Sequence, residues 1–348
     1  MGGEGKNKLL MKEDNVKVSI YCLAYNHEKY IRNALNGFVN QITDFNFEVI
    51  VHDDASKDKT ADIIREYEYN YPQIIKPIYQ KENQYSKGIS IFKEFIVPRM
   101  RGKYIAVCEG DDYWIDLHKL QKQYNYMESH PECSFCFSNG FIEDQEDCSR
   151  KVFIPSSEEE KRVYIPQSRQ MKLKESLDYK FVPTASFFYP RKLLLQMPDS
   201  YWKRYCAGDL KARLYFGSKG TIYYFDDKMC IYRKNVPNSA MTKWKNGGRK
   251  KAYDVAISFL DMIDDFNSET NYIYQSDVRD TRNYYLLNKL LNLYSRKFLI
   301  NKKIIKEICT QKPCDIVKII IKCLLSEKMI DWFRKNIVNQ VKVKRYVK

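Results

Sequence analysis

Strand-like and helix-like patterns alternate along the first 140 residues, and this alternation limits the fold more than any other feature of the sequence. Short apolar runs predict the strands, and apolar residues at helical spacing predict the helices between them. The predicted strands are 18–24, 47–52, 74–79, 103–108 and 133–138, and the predicted helices are 27–39, 56–69, 89–100 and 117–129. Because strand, helix and strand form right-handed crossovers, we expect an α/β fold with a mostly parallel sheet and flanking helices.

The rest of the chain changes character. A polar and charged stretch at 142–169 is expected to be a loop or an insertion, and further strands are expected at 181–189 and 221–225. From about residue 248, helical patterns replace the strand alternation. The expected organisation is a flexible N-terminal arm at 1–15, an α/β domain at 16–247 and a basic helical C-terminal region at 248–348.

Composition indicates a folded protein. Apolar residues make up 44% of the 348 residues and charged residues 30%, which is too apolar for a disordered chain. No run of 18 apolar residues predicts a membrane span, and the polar N-terminus lacks the apolar segment of a secretion signal. The ten cysteines are scattered, so we expect reduced thiols in a cytoplasmic protein. Cys133 and Cys136 lack further ligands at zinc spacing and are expected to belong to the core.

The net charge of +15 is concentrated at the C-terminus. Residues 301–348 contain 13 Lys and Arg against 4 Asp and Glu, a net charge of +9. Aliphatic residues alternate with these lysines, a pattern that suits the surface of an anionic membrane or the cover of a small helical domain. Both interpretations stay open, and the first places the protein peripherally at the inner face of the membrane.

Three polar sequences follow the first, second and fourth predicted strands. They are Ala24-Tyr25-Asn26, Asp53-Asp54-Ala55-Ser56 and Glu109-Gly110-Asp111-Asp112-Tyr113-Trp114. The carboxyl ends of parallel strands meet at one edge of the sheet, which is where ligands bind in such folds. Adjacent carboxylates repel one another unless a cation compensates, and Mg²⁺ or Mn²⁺ bound to a diphosphate is the usual partner for oxygen ligands of this kind.

These sequences, in this order, resemble the GT-A glycosyltransferases of family 2, whose fold is Rossmann-like. The resemblance covers residues 16–240 and is carried by VSIYCLAYNHEKYI, FEVIVHDDASKD, GKYIAVCEGDDYW and the following KLQKQ…HPE. The last two runs resemble a bacterial subgroup, active in polysaccharide biosynthesis at the cell envelope, in which EGDDYW replaces the metal-binding D-x-D motif. Four motifs in the family's order make the resemblance specific.

The resemblance implies roles for individual residues. Tyr25 matches the aromatic residue that stacks on the nucleotide base, with Ala24 and Asn26 beside it. Asp53 and Asp54 match the acidic pair that binds the base and the ribose. The set that matches the metal motif is Glu109, Gly110, Asp111 and Asp112, with Asp112 as the metal ligand and Asp111 contacting the ribose or the metal.

Further residues match positions in the second half of the family's domain. Asp209, in Ala207-Gly208-Asp209, matches the catalytic base, although it would also suit a helix cap. Arg233 matches a basic residue near the diphosphate or the acceptor. Lys87 lies where relatives place a basic residue that faces the phosphates, and a plain solvated lysine is an equal alternative.

The reaction that this set implies is a single displacement with inversion. An Mn²⁺- or Mg²⁺-assisted enzyme would move a hexosyl or N-acetylhexosaminyl group from a nucleotide-diphosphate donor, most simply a UDP-sugar, to a hydroxyl of a glycan or lipid-linked acceptor. Asp209 would take the proton of that hydroxyl.

Three alternatives compete with this interpretation. A sugar nucleotidyltransferase has a similar sheet, but it needs a glycine-rich basic loop after the first strand, where this chain has Tyr-Asn-His-Glu-Lys. A nucleic-acid-binding protein would suit the pI of about 9.1, although no such module is visible and we expect no nucleic-acid partner. A binding protein that has lost catalysis is disfavoured because every expected carboxylate is present.

Overall fold

The computed structural model describes residues 15–202, 208–237 and 239–285. The chain divides into two units, one ending at Ser239 and the other beginning at Ala240. This division falls a few residues before position 247, because helix Ala240–Asn246 packs with the helix that follows it. The arm at 1–14 and the basic tail at 301–348 lie outside the described residues.

The first unit is an α/β domain. Its strands are β1 Val16–Ala24, β2 Asn46–Asp53, β3 Ile75–Tyr79, β4 Tyr104–Val107, β5 Tyr113–Trp114, β6 Cys133–Asp144, β7 Arg150–Val152, β8 Arg169–Met171, β9 Phe188–Pro190 and β10 Thr221–Lys234. Its α-helices are α1 Ile31–Val39, α2 Thr60–Asn70, α3 Lys119–Ser129, α4 Glu158–Lys161, α5 Leu173–Leu177, α6 Arg191–Leu195 and α7 Gly208–Gly217. A π-helix, Phe92–Ile96, and short 3₁₀ segments connect them.

The strands form one mixed sheet in the order β3-β2-β1-β4-β9-β6-β10-β5, with β7 beside β6 and β8 beside β10. Strands β3, β2, β1 and β4 are parallel to one another, as the alternation predicts. Strand β9 runs antiparallel to β4, and β10 runs parallel to β6. The α/β fold with flanking helices is therefore confirmed, and the carboxyl ends of β1, β2 and β4 share one edge.

Strand β1 has an apolar face and a polar face. Val18, Ile20 and Cys22 are fully buried on the first. On the other face, the Ser19 hydroxyl donates to Glu48 Oε1 at 2.7 Å. These alternating contacts fix the register of β1, because a shift by one residue would exchange its two faces.

Three local expectations are wrong. The stretch 181–189 is mostly irregular and contributes only Phe188–Pro190, because Pro183 cannot donate to a strand ladder and a 3₁₀ turn follows it. The helix expected at 89–100 is a π-helix followed by a 3₁₀ turn, since Pro98 removes a backbone donor. The helix expected at 56–69 begins only at Thr60.

The cysteines of the described residues are free thiols. Cys133 and Cys136 are buried in β6, as expected for core residues, and Cys148 is exposed. In the described ranges no helix combines the length and the hydropathy that a membrane crossing requires.

The second unit is helical as far as the structure describes it. Its helices are α8 Ala240–Asn246, α9 Gly248–Glu269 and α10 Gln275–Tyr284. The Arg282 guanidinium joins α10 to α9 through two hydrogen bonds to Asp264, at 2.7 and 3.0 Å.

Gly102 gives a test of the packing below the sheet edge. A Cβ at this position would lie 2.3 Å from the backbone nitrogen of Ser19, where the Gly102 N–H also donates to Ser19 Oγ at 2.8 Å. We expect Gly102→Ala to lower the free energy of unfolding by about 1–3 kcal/mol, because β1 must shift to admit the methyl group. Urea unfolding followed by circular dichroism measures the change. Gly208→Ala is the control, since a Cβ there meets nothing within 4 Å, and equal stability of both variants would contradict the prediction.

Candidate active site

Hydrogen bonds join the ends of β1 and β2. Asn26 follows β1 with a φ of 56°, in the left-handed region, and its backbone N–H donates to Ser56 Oγ at 2.9 Å. Asn26 Oδ1 accepts the N–H of Lys57 at 2.8 Å. The carbonyl of Ala24 accepts the N–H of Asp54 at 3.0 Å. Ala24 and Asn26 therefore shape the edge through backbone and amide groups, and they hold the two polar sequences side by side.

Asp53 has a carboxylate oxygen without a partner. The residue is 3% exposed, and its Oδ2 accepts the N–H of Ser56 at 3.3 Å. Its Oδ1 is buried and has no hydrogen-bond partner in the described part of the chain. Burial raises the pKa of this carboxyl. Because an unpaired buried acceptor costs free energy, Asp53 is suited to accept an N–H or O–H from a ligand. Tyr25, half-buried, follows Ala24, the register partner of Asp53.

Asp54 has a different role from its neighbour. Its Oδ1 accepts the backbone N–H of Gln84 at 2.7 Å, and its Oδ2 accepts that of Tyr85 at 3.0 Å. Both oxygens are thus used to hold the loop that follows β3. Lys87 lies in this loop and is partly exposed. Lys87 is therefore connected to this edge by the loop that Asp54 anchors, and its own ammonium group pairs with Glu82.

The acidic sequence after β4 begins with a close approach between two loops. The N–H of Gly110 donates to the carbonyl of Leu23 at 2.9 Å. A Cβ on Gly110 would lie 2.8 Å from His27 Nδ1, so only glycine fits. That Nδ1 is buried without a hydrogen-bond partner among the residues that the structure describes. No local sequence pattern indicates that His27 lies against this turn, because the contact joins the segment after β1 to the segment after β4.

Arg233 holds the second half of the acidic sequence. Its backbone N–H donates to Asp112 Oδ1 at 2.9 Å, and its Nη1 donates to the carbonyl of Asp111 at 2.8 Å. The guanidinium lies between two aromatic rings, 5.2 Å from the centre of Tyr30 and 4.4 Å from that of Tyr113. It is 6% exposed. The expectation that Arg233 lies near the diphosphate or the acceptor stays untested, while its contacts here are to the acidic turn.

A second group of buried residues supports the turn from below. Trp114 is 4% exposed and its indole N–H donates to the carbonyl of Ala185 at 2.6 Å. The fully buried ammonium group of Lys119 lies 4.2 Å from the centre of the Trp114 ring and donates to Gln123 Oε1 at 2.6 Å. Burial lowers the pKa of Lys119 to about 8. Lys119 and Gln123 belong to the KLQKQ run. The sequence motif therefore contains both residues, but it does not indicate that they pack beneath the acidic turn.

The carboxylates after β4 repel one another. The pKa of Glu109 is raised to about 7 by partial desolvation and then by the charges of Asp111 and Asp209, although one side of the residue is open to solvent. Burial, followed by the charge of Asp111, raises the pKa of Asp112 well above its usual value. The charge of Asp209 contributes to the rise at Glu109, which indicates that the first turn of α7 lies near the end of β4.

Asp209 lies in the first turn of α7 and is half-buried. Burial raises the pKa of its carboxyl, and Arg213, one turn later, opposes this rise. Arg213 is itself buried, with Nη2 donating to the carbonyls of Ser176 and Tyr179. The helix therefore presents a carboxylate of raised proton affinity, as a general base requires. The residue preceding Gly208, Ala207 of the sequence motif, lies outside the described residues.

The carboxylates after β4 are oxygen ligands of the kind that a divalent cation binds. Within 15–202, 208–237 and 239–285, no group of three or more His, Cys, Asp or Glu side chains is arranged to hold a metal ion by itself. Mg²⁺ and Mn²⁺ do not need one in sites of this kind, because one or two carboxylates and the phosphates of the substrate complete the shell. The mutual repulsion of Asp111, Asp112 and Glu109 is the feature that a cation would relieve. The residues therefore fit such a cation.

The chain is similar to known proteins of one family. The model of the family described as Glycosyl transferase family 2 matches residues 19–196, about half of the chain. The uncharacterized protein Rv1520 of Mycobacterium tuberculosis is 32% identical over 250 residues, which are 71% of this chain and 68% of that protein. The β-1,3-glucosyltransferase WfaP of Escherichia coli, named for transfer from UDP-Glc to α-D-GlcNAc-diphosphoundecaprenol, is 34% identical over 36% of this chain and 47% of its own.

Among solved structures, Staphylococcus aureus TarS in complex with UDP-GlcNAc superposes with a TM-score of 0.51 at 17% identity, over 80% of both chains. This likeness concerns the fold. Together with the matched family model and the 32% identity to Rv1520, it shows that the chain belongs to glycosyl transferase family 2 and has the GT-A fold.

Proposed function

We propose that this protein is an inverting glycosyltransferase that moves a sugar from a UDP-sugar to a hydroxyl group of a glycan or a lipid-linked acceptor. The observation that carries the proposal is that one sheet edge holds both a buried oxygen of Asp53 that has no partner among the described residues and the mutually repelling carboxylates after β4. The first feature suits a nucleotide base and the second suits a cation with a diphosphate.

The base is the ligand that Asp53 is suited to bind. Uracil and guanine each carry a ring N–H that can donate to a carboxylate, whereas adenine and cytosine present acceptors at the corresponding ring nitrogen. Tyr25, next along the chain from Ala24, offers an aromatic face for stacking. The name of WfaP, which specifies a UDP-sugar, supports uracil over guanine.

Asp112 and Asp111 would hold the cation, Mn²⁺ or Mg²⁺. When bound, it supplies positive charge that neutralises the leaving diphosphate. Arg233 keeps these two residues in place through its backbone N–H and its guanidinium.

Asp209 would act as the general base. As the acceptor oxygen bonds to the anomeric carbon, the bond from that carbon to the diphosphate oxygen breaks, and the hydroxyl proton passes to the Asp209 carboxylate. Inversion requires the base to lie on the side opposite the leaving group. Asp209 is carried by α7, a different element from the ends of β1 and β2 where the nucleotide is proposed to bind, and this separation supports the role.

A binding experiment on Asp53 tests the donor assignment. Calorimetric titration of the wild type with UDP in Mn²⁺ is expected to show binding, and CDP is expected to bind more weakly. Asp53→Asn is expected to weaken UDP binding by about 10- to 100-fold, since it removes a charge-assisted hydrogen bond. Asp62→Asn, on the exposed side of α2, is the control. UDP binding that is equal in both variants would contradict the role of Asp53.

A further inference from the structure

Trp202 differs from Trp114 in a way that indicates a ligand. Trp114 is buried and its indole N–H is hydrogen-bonded. Trp202, at the end of the 3₁₀ segment Asp199–Trp202, is only half-buried. A large aromatic ring left partly open, with an indole N–H at its edge that can donate to a ligand, is typical of a binding surface rather than of a core.

The segment that carries Trp202 is fixed to the helix of the proposed base. Lys211 of α7 donates from Nζ to the carbonyl of Tyr201 at 2.7 Å. The Tyr201 ring also packs edge-on against Tyr215, with the ring centres 5.0 Å apart. Two independent contacts therefore join the neighbour of Trp202 to the helix that begins at Gly208 and carries Asp209.

On its other side, Trp202 continues a row of aromatic rings that leads to the acidic turn. Its ring centre lies 6.1 Å from that of Phe92, which lies 4.7 Å from that of Tyr21. The carbonyl of Tyr21 accepts the backbone N–H of Cys108, the residue before Glu109, at 3.2 Å. Phe92 begins the π-helix, an irregularity frequently found at functional sites.

A pair of opposite charges lies beside the indole ring. Lys93 Nζ is 5.7 Å from the centre of the Trp202 ring and 3.1 Å from Asp199 Oδ1. Both side chains are open to solvent, and Asp199 is almost fully exposed. Such a pair contributes little to stability, so its groups remain available to another ligand.

From these contacts we propose that Trp202, Lys93 and Asp199 form a subsite for a sugar ring of the acceptor, on the Asp209 side of the site. A pyranose has apolar C–H faces that pack on an aromatic ring and hydroxyl groups that exchange hydrogen bonds with an ammonium group, a carboxylate and an indole N–H. The inference rests on the proposed glycosyltransferase function. It follows from the location of Asp209, because the base and the hydroxyl that it deprotonates must be on the same side.

The test separates the acceptor from the donor. The full chain is assayed with UDP-glucose, UDP-galactose and UDP-GlcNAc in Mn²⁺, both alone, for hydrolysis to UDP, and with a panel of p-nitrophenyl glycosides as acceptors. We expect Trp202→Ala to raise the KM for the accepted glycoside about tenfold or more. The KM for the donor and the rate of donor hydrolysis should stay at the wild-type values. Lys93→Gln should raise the acceptor KM by a smaller factor.

Tyr69→Ala, which removes an aromatic side chain that is 86% exposed on α2, is the control for losing a surface ring. Melting temperatures of all variants identify misfolding. If Trp202→Ala is unfolded, Trp202→Phe replaces it in the test, because phenylalanine keeps an aromatic ring at this position. An unchanged acceptor KM in Trp202→Ala, or equal rises in donor and acceptor KM, would overturn the subsite. A wild type that hydrolyses a UDP-sugar but neither uses nor is inhibited by any glycoside would also overturn it. Absence of both hydrolysis and transfer would instead count against the proposed function.

Discussion

Asp209→Asn is expected to slow sugar transfer by about 10³-fold or more while nucleotide binding is retained. General-base catalysis contributes roughly 10²- to 10⁴-fold, and an amide cannot take a proton at the pH of the assay. The substitution is close to isosteric, so Arg213 keeps its hydrogen bonds to the carbonyls of Ser176 and Tyr179. The measurement is kcat with a UDP-sugar and an accepted glycoside, beside calorimetric titration with UDP and Mn²⁺.

The pH profile distinguishes a base from a residue that only shapes the helix. Burial raises the pKa of Asp209, so wild-type transfer should fall as the pH drops through that raised pKa, because the carboxylate becomes protonated and cannot accept a proton. In Asp209→Asn this acidic limb should become smaller, and the part that remains belongs to Glu109 and Asp112, whose pKa values are also raised. Glu175→Gln, at the partly exposed α5, is a control at a carboxylate outside the site. Transfer within tenfold of the wild type, with the acidic limb preserved, would remove Asp209 from the role.

The strand ends could be predicted from the sequence because their signal is local. Runs such as 18–24 and 47–52 are apolar and β-branched, and the polar residues begin where the strands end. The structure extends these strands by no more than two residues at either end. The prediction that the acidic sequences share one sheet edge therefore depended only on parallel topology, which the alternation of strands and helices already implied.

The partners of individual side chains could not be predicted, because they come from distant parts of the chain. Asp53 and Asp54 are adjacent and look equivalent in sequence. Yet Asp54 uses both oxygens on backbone groups of residues 84 and 85, while one oxygen of Asp53 has no partner in the part of the chain that the structure describes. Arg233, 121 residues after Asp112, holds the acidic turn through contacts that no local pattern encodes. Sequence motifs therefore indicate which residues gather, and packing decides which of their atoms remain available.

Asp112→Asn is expected to have opposite effects on stability and on ligand binding. In the metal-free protein, it removes one of several mutually repelling carboxylates, while Asn Oδ1 can still accept the Arg233 N–H. We therefore expect the melting temperature to rise by about 2–4 °C, which corresponds to roughly 1 kcal/mol for a domain of this size. Thermal unfolding in EDTA measures this change.

In the presence of UDP and Mn²⁺, the wild type should have a higher melting temperature than Asp112→Asn. The wild type gains stability from the ligands in proportion to their affinity, and Asp112→Asn should lose the part of this gain that depends on the metal. Transfer should fall by about 10²- to 10³-fold, the effect of several kcal/mol of lost charge stabilisation at the leaving diphosphate. Asp116→Asn, whose carboxylate pairs with Lys122, is the matched control. A melting temperature of Asp112→Asn below that of the wild type in EDTA would show that repulsion among these carboxylates does not destabilise the metal-free protein. A Mn²⁺-dependent gain in stability that Asp112→Asn retains would show that the cation binds through other groups.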